Sequence, residues 1–163
     1  MKQGYSTQLT RQIGEHLVVA KLGRLCILAT PFAGNIPDYD LLASDLSGHS
    51  LPLQVKTING PSWQFSATSF LDIKFDGDRQ VVQEKKKLSN PNLICVFVFL
   101  KPDGNDEFFI LTVKDLQEHF LKNYKGGVRP RNPKSTHCAI WPKELMKYRD
   151  NWELITRHFN AIK

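Results

Sequence analysis

Pro37-Asp38-Tyr39-Asp40-Leu41-Leu42-Ala43 and Leu53-Gln54-Val55-Lys56-Thr57 are apolar runs whose polar members conflict with their setting. In the second, Gln54 and Lys56 lie two apart, so an extended chain turns both to one face and Leu53 and Val55 to the other. Asp40 opens the apolar Leu41-Leu42-Ala43, where an acid is either an edge decoration or a positioned ligand. Leu46-Ser47-Gly48-His49-Ser50 between the strand-like runs Tyr39–Asp45 and Leu51–Ile58 reads as a hairpin connection. Pairing of the two strands brings Asp40 beside Gln54 and gathers a carboxylate, an amide oxygen and an ammonium in one small patch.

Upstream, Leu9, Ile13, Leu17, Val18, Ala20 and Leu22 have helical spacing from Ser6 or Thr7 to Gly23, with Glu15 in the middle. Leu25–Thr30 reads as a short strand, and Pro31, Gly34, Asn35 and Pro37 as a loop. Downstream, Trp63–Phe70 is β-rich, and after Asp76-Gly77-Asp78 the segment Arg79–Leu88 is expected to be helical, with Lys85, Lys86 and Lys87 at its end. Leu93–Leu100 and Glu107–Thr112 are strands around the turn signal Pro102-Asp103-Gly104, and Val113–Tyr124 is a helix. A basic loop, Lys125–Lys134, precedes a helical end carrying Trp141, Leu145, Tyr148, Trp152 and Ile155, whose aromatics are expected to pack a last helix on the sheet. Trp63 and Phe65 read as core residues. The whole predicts an α/β (α+β) fold, a central mixed sheet flanked by helices, in one domain over residues 1–163 with 125–163 as a basic loop and helical extension.

A chain of 163 residues that is 41% hydrophobic suffices for one core. Its 22 Lys and Arg against 16 Asp and Glu favour an anionic partner, nucleic acid first. Met1–Gly14 has no apolar signal core, and the longest apolar run, Leu93–Leu100, falls short of the ~18–20 residues of a membrane span. A cytoplasmic protein is expected, with Cys26, Cys95 and Cys138 as reduced, buried thiols. The five histidines lack zinc-site spacing, and no nucleotide-binding or serine-hydrolase string occurs.

The Asp40 patch suits phosphodiester hydrolysis. Asp40, the Gln54 carbonyl oxygen and the Val55 main-chain carbonyl are hard oxygen donors for Mg2+ or Mn2+, and Glu15 can complete the set or hold a second cation. Lys56 orients the attacking water or offsets charge on the phosphoryl oxygens. Lys125, Arg129, Arg131 and Lys134 are candidates to follow a phosphate backbone, beside the plainer reading of a solvated loop.

Gly14-Glu15 in an opening helix, Asp40 before its strand and Gln54-Val55-Lys56 resemble the E…D…(E/Q)xK signature of the PD-(D/E)xK, restriction-endonuclease-like nuclease superfamily in its QxK form. The nearest flavour is a group of small bacterial proteins related in core to archaeal Holliday-junction resolvases. The resemblance spans Gly14–Thr57 and implies an αβββαβ core and metal-dependent endonuclease activity on DNA through Glu15, Asp40, Gln54 and Lys56. Asp38 also fits the letters, but an acid on the strand is held more rigidly, which favours Asp40. Gln54 removes one negative charge from the site, so the alternative is a catalytically weakened nucleic-acid-binding or defence-associated interaction module on the same fold. A purely structural α/β protein would leave the four residues dispersed, with Glu15 and Lys56 on opposite sides of the sheet. Cutting both strands of a duplex with one site per chain calls for a symmetric partner, hence a homodimer.

Overall fold

The computed structural model describes residues 7–33, 38–129 and 131–161. The chain runs α1 (Thr7–Arg24), β1 (Leu28–Pro31), β2 (Leu41–Ser44), β3 (Ser50–Ile58), β4 (Trp63–Ser66), β5 (Leu71–Asp76), β6 (Arg79–Lys85), β7 (Ile94–Phe99), β8 (Glu107–Thr112), α2 (Val113–Asn123), β9 (Gly127–Val128), β10 (His137–Ile140) and α3 (Glu153–Asn160). This is a mixed α+β architecture about a five-stranded sheet of order β1-β2-β3-β7-β8. All its pairings are antiparallel except the parallel β3–β7 contact. That exception matters most. A parallel pair needs a long crossover, usually a helix, and here the crossover is built from β4 to β6.

Helix α1 buries Thr10, Gly14, Val18 and Leu22, every fourth residue and therefore one line along the helix. From Gly14 through Val18 to Leu22 the side chains grow along that line, so α1 can lie nearest the sheet at Gly14. Ile13 and Leu17 pack at its flank, and Leu41, Leu53, Val55, Val96 and Ile110 complete this side of the core with Ile155 and Phe159 of α3. The opposite side packs Cys95, Phe97, Phe109 and Leu111 against Trp63, Phe70, Leu116 and Phe120. Five of the six residues of β7 are buried, as befits a central strand covered on both faces. Thr112 caps α2, its Oγ1 accepting from the Asp115 N–H (3.1 Å) while Asp115 Oδ2 accepts from the Thr112 N–H (3.0 Å).

Arg79–Lys85 is a strand, not the expected helix. Gln, Glu and Lys favour helix, but Asp76-Gly77-Asp78 makes a tight β5–β6 hairpin, with Gly77 at φ +56° and Asp76 opposite Arg79. Lys85 accordingly ends a strand and pairs with Glu118. The C-terminal part is less helical than expected. β10 pairs with β4, two single 3-10 turns follow, and only Glu153–Asn160 is α-helix. Trp141 is exposed, Tyr148 lies in a 3-10 turn, and Trp152 precedes α3 with its ring 5.5 Å from that of Phe108.

Cys26 is exposed, at variance with the expected buried thiol, whereas Cys95 is buried; all three cysteines are free. No described helix is long and apolar enough to cross a membrane. The expected loop around Asn35 and Pro37 falls in 34–37, outside the described residues, as does Pro130 of the basic loop.

Candidate active site

Strand β2 begins at Leu41 and pairs with β3 only as far as Leu53, so the second half of β3 has an edge that β2 does not cover. Asp40 sits at that divergence. Its N–H donates to the Leu53 carbonyl (2.9 Å), continuing the ladder by one residue, and its Oδ2 accepts from the Val55 N–H (2.8 Å). A side chain thus replaces the next rung of the sheet. Strand geometry turns the Val55 carbonyl to this same edge.

Gln54 and Lys56 project from the face opposite α1, as the alternation predicts, and line a cleft of about 610 Å³ with Asp38, Tyr39, Phe65 and Asn90. Gln54 Nε2 donates to the Asp38 carbonyl (3.3 Å), and its Oε1 accepts from the Cys95 thiol (3.6 Å), its neighbour across the β3–β7 register. Burial pushes the Cys95 thiol up to about 12, against the lowering effect of Lys56, so Cys95 stays protonated and donates. Half a turn about the last side-chain bond of Gln54 would bring its oxygen to the Asp38 side, and both bonds it breaks are long. The Lys56 ammonium stands 5.7 Å above the Phe65 ring. Its main-chain carbonyl accepts from Trp63 Nε1 (2.8 Å), and Trp63 is buried edge-on to Phe97, a core role as expected.

Glu15 lies within electrostatic range of Asp40, on the α1 side of the sheet. Partial burial and the Asp40 charge raise its carboxyl above the ordinary 4.5, against the lowering effect of Arg11 and His16. α1 covers the Leu53 and Val55 face, so Glu15 and Lys56 stand on opposite sides of the sheet. The structure brings Glu15 within electrostatic range of Asp40, Asp40 to Val55, and Lys56 to the cleft with Gln54. It does not bring Glu15 to Lys56, and that separation across the sheet is the arrangement expected of a purely structural α/β protein.

Two carboxyls that repel one another and a main-chain carbonyl at the same strand edge are hard oxygen donors of the kind a divalent cation takes, while the Gln54 oxygen is turned away to Cys95. Among the described residues no three His, Cys, Asp or Glu gather as a metal cluster. Any such cation would therefore depend on Gln54 and Val55 for its remaining protein ligands.

A raised native pKa means that ionised Glu15 costs stability. Below 4.5 the carboxyl is protonated in both folded and unfolded chains and the cost vanishes; it grows as pH rises through the native value. Glu15→Gln should therefore be more stable than wild type at pH 7 in EDTA, with the advantage gone near pH 4, as followed by urea unfolding. An equal difference at both pH values would contradict the electrostatic coupling.

Sequence reasoning missed Arg11, whose Nη2 lies 3.4 Å from Asp40 Oδ1. Its signal was available: Arg11 stands one helical turn before Glu15. It also missed the Asp38 carbonyl, presented from a left-handed backbone (φ +68°), and Cys95.

The basic loop lies elsewhere, against β6. Buried Gln80 donates to the Pro133 and Ser135 carbonyls (2.7 and 2.8 Å) and accepts from the Tyr124 hydroxyl, which pins the loop. Three of its four candidate cations have intramolecular contacts: Lys125 donates to the Lys122 carbonyl, Arg129 stacks on Tyr124, and Lys134 lies over Phe75. Arg131 is exposed.

No protein-family description matches the chain, and no curated protein does. Among solved structures, that of the bacterial homing endonuclease I-Ssp6803I matches with a TM-score of 0.51 over 96% of this chain and 97% of that one, at 16% identity. The likeness is one of fold: this chain shares the α+β architecture of that structure.

Proposed function

We propose that the chain is a metal-dependent endonuclease acting on DNA, a QxK member of the PD-(D/E)xK superfamily working as one nuclease-like domain. The observation that carries this is Asp40, fastened to the Val55 N–H where β2 leaves β3, with Gln54 and Lys56 on the adjoining cleft and Glu15 facing it from α1. The αβββαβ order is kept in α1 to β3 and in β7, with strands where its second helix would stand. The fold shared with a homing endonuclease supports the same reading.

Asp40, the Gln54 oxygen, the Val55 carbonyl and Glu15 would hold the cation. Mg2+ or Mn2+ there supplies Lewis-acid polarisation of a phosphoryl oxygen and acidifies a water. Lys56 faces the cleft, where its ammonium offsets negative charge growing on the phosphoryl oxygens and orients the attacking water. Lys125, Arg129, Arg131 and Lys134 would contact phosphates away from the reacting centre, at the cost of the contacts that three of them make internally. A homodimer would place two such sites on a duplex.

A second reading, a binding module with weakened catalysis, is favoured by one feature: Gln54 stands at the ligand position with its oxygen turned to Cys95. Incubation of supercoiled plasmid with Mg2+ or Mn2+ separates the two. The nuclease produces nicked or linear DNA that EDTA suppresses, and Gln54→Glu, by adding a ligand charge, lowers the metal requirement on the order of tenfold. DNA binding with no cutting by either protein would establish the module instead.

A further inference from the structure

We infer that Arg11 is a displaceable counter-ion for the Glu15–Asp40 pair, occupying the place of a cation in the free protein and transferring to a substrate phosphate when a divalent cation binds. This rests on the nuclease reading above, and goes beyond it in adding a residue outside the E…D…QxK set.

In the structure both oxygens of Asp40 are engaged. Oδ2 takes the Val55 N–H at 2.8 Å and Oδ1 faces Arg11 Nη2 at 3.4 Å. The first contact is part of the sheet edge and stays. The second must give way if Oδ1 is to ligate a cation. Arg11 and Glu15 are four residues apart on α1, hence on one flank of the helix. The guanidinium therefore belongs to the two acids whose mutual repulsion a cation would relieve.

Release of Arg11 is easy and its destination close. The contact is long and the Arg11 side chain is 54% exposed, so the pair is of the exposed, weakly held kind. A phosphate held through a cation on Asp40 would lie at the same edge, within reach of the Arg11 side chain. The planar guanidinium presents paired donors that match phosphate oxygens, an interaction Lys reproduces only as a point charge. A plain surface ion pair would do none of this, and its removal would change neither metal nor DNA binding.

Arg11→Gln, Arg11→Lys and Asp40→Asn, made in the full chain, are compared with wild type by titration with Mn2+ alone, followed by its electron paramagnetic resonance. A short fluorescent duplex is then titrated at fixed Ca2+ over a series of salt concentrations. Arg11→Gln should bind Mn2+ on the order of fivefold more tightly without DNA, because a competing charge ~4 Å away is gone. It should also bind the duplex more weakly, with the slope of log affinity against log salt reduced by about one. Arg11→Lys should keep the salt slope.

Unchanged or weaker Mn2+ binding by Arg11→Gln, or an unchanged slope, would overturn the inference about Arg11 while leaving the nuclease reading standing, provided Asp40→Asn loses Mn2+. Equal Mn2+ titrations of wild type and Asp40→Asn, or none by either, would overturn both.

Discussion

Lys56→Ala is expected to slow metal-dependent plasmid cutting by about 10²–10³-fold, the range for removing one preorganised stabiliser of transition-state charge. The fold should not notice. Lys56 lines the cleft, its ammonium over Phe65 and in no ion pair among the described residues, while the strand contacts at this position run through its main chain to Trp63 and β7. Asp40→Asn is expected to match or exceed that loss for a different reason. The amide oxygen still accepts from the Val55 N–H, so the edge of β3 keeps its cap, but the charge that attracts a cation is gone. Because both residues serve one event, the double variant should be little worse than the poorer single one. Plasmid cutting with matched thermal unfolding checks all three. Wild-type rates in both single variants would remove Asp40 and Lys56 from the chemistry.

The second large effect is structural and lies on α1. A β-carbon added at Gly14 would stand 1.8 Å from Thr57 Oγ1 and 2.8 Å from both Thr57 Cβ and Cγ2. Part of that is side chain, but Thr57 Cβ moves only with the backbone of β3, so α1 must lift from the sheet. Gly14→Ala should cost about 1–3 kcal/mol from overpacking, against ~1 kcal/mol regained from the better helix former. It should also shift Glu15 and Arg11 and so impair cutting. Gly23→Ala is the control, since nothing lies within 4 Å of the added carbon; stability there should be unchanged or improved. Adding Thr57→Ala to Gly14→Ala should recover part of the loss, because Oγ1 and Cγ2 disappear while Cβ remains. Urea unfolding reads all four. A Gly14→Ala protein as stable as Gly23→Ala would show that the approach of α1 to β3 is not tight.

The helix tells the same story about what can be read in advance. Its span follows from apolar spacing, and Val18 and Leu22 of the expected face are buried, but the same buried line runs on through Thr10 and Gly14, which that spacing did not include. Gly14, with no side chain to bury, carries the close approach, and only its partner Thr57 reveals why. Similarly, Val81-Val82 between Gln80 and Gln83 is locally ambiguous between helix and strand. Pairing with β5, and the hydrogen bonds that satisfy buried Gln80, decide for the strand.

What the chain determines by itself is the period-2 placement of Gln54 and Lys56 on one face of β3 and the order of Glu15, Asp40 and that strand, because alternation is a property of extended backbone wherever it lies. Sequence order also brings Asp40 next to β3 through a hairpin. Tertiary structure alone decides that β2 leaves β3 after Leu53, that the freed Val55 N–H is met by the Asp40 carboxylate, and that Arg11 stands with it. It also decides that strands, not a helix, carry the chain from β3 to β7. Those outcomes depend on which hydrogen-bonding groups a neighbouring element leaves unpaired, and on how closely two elements can approach, neither of which is encoded within any one of them.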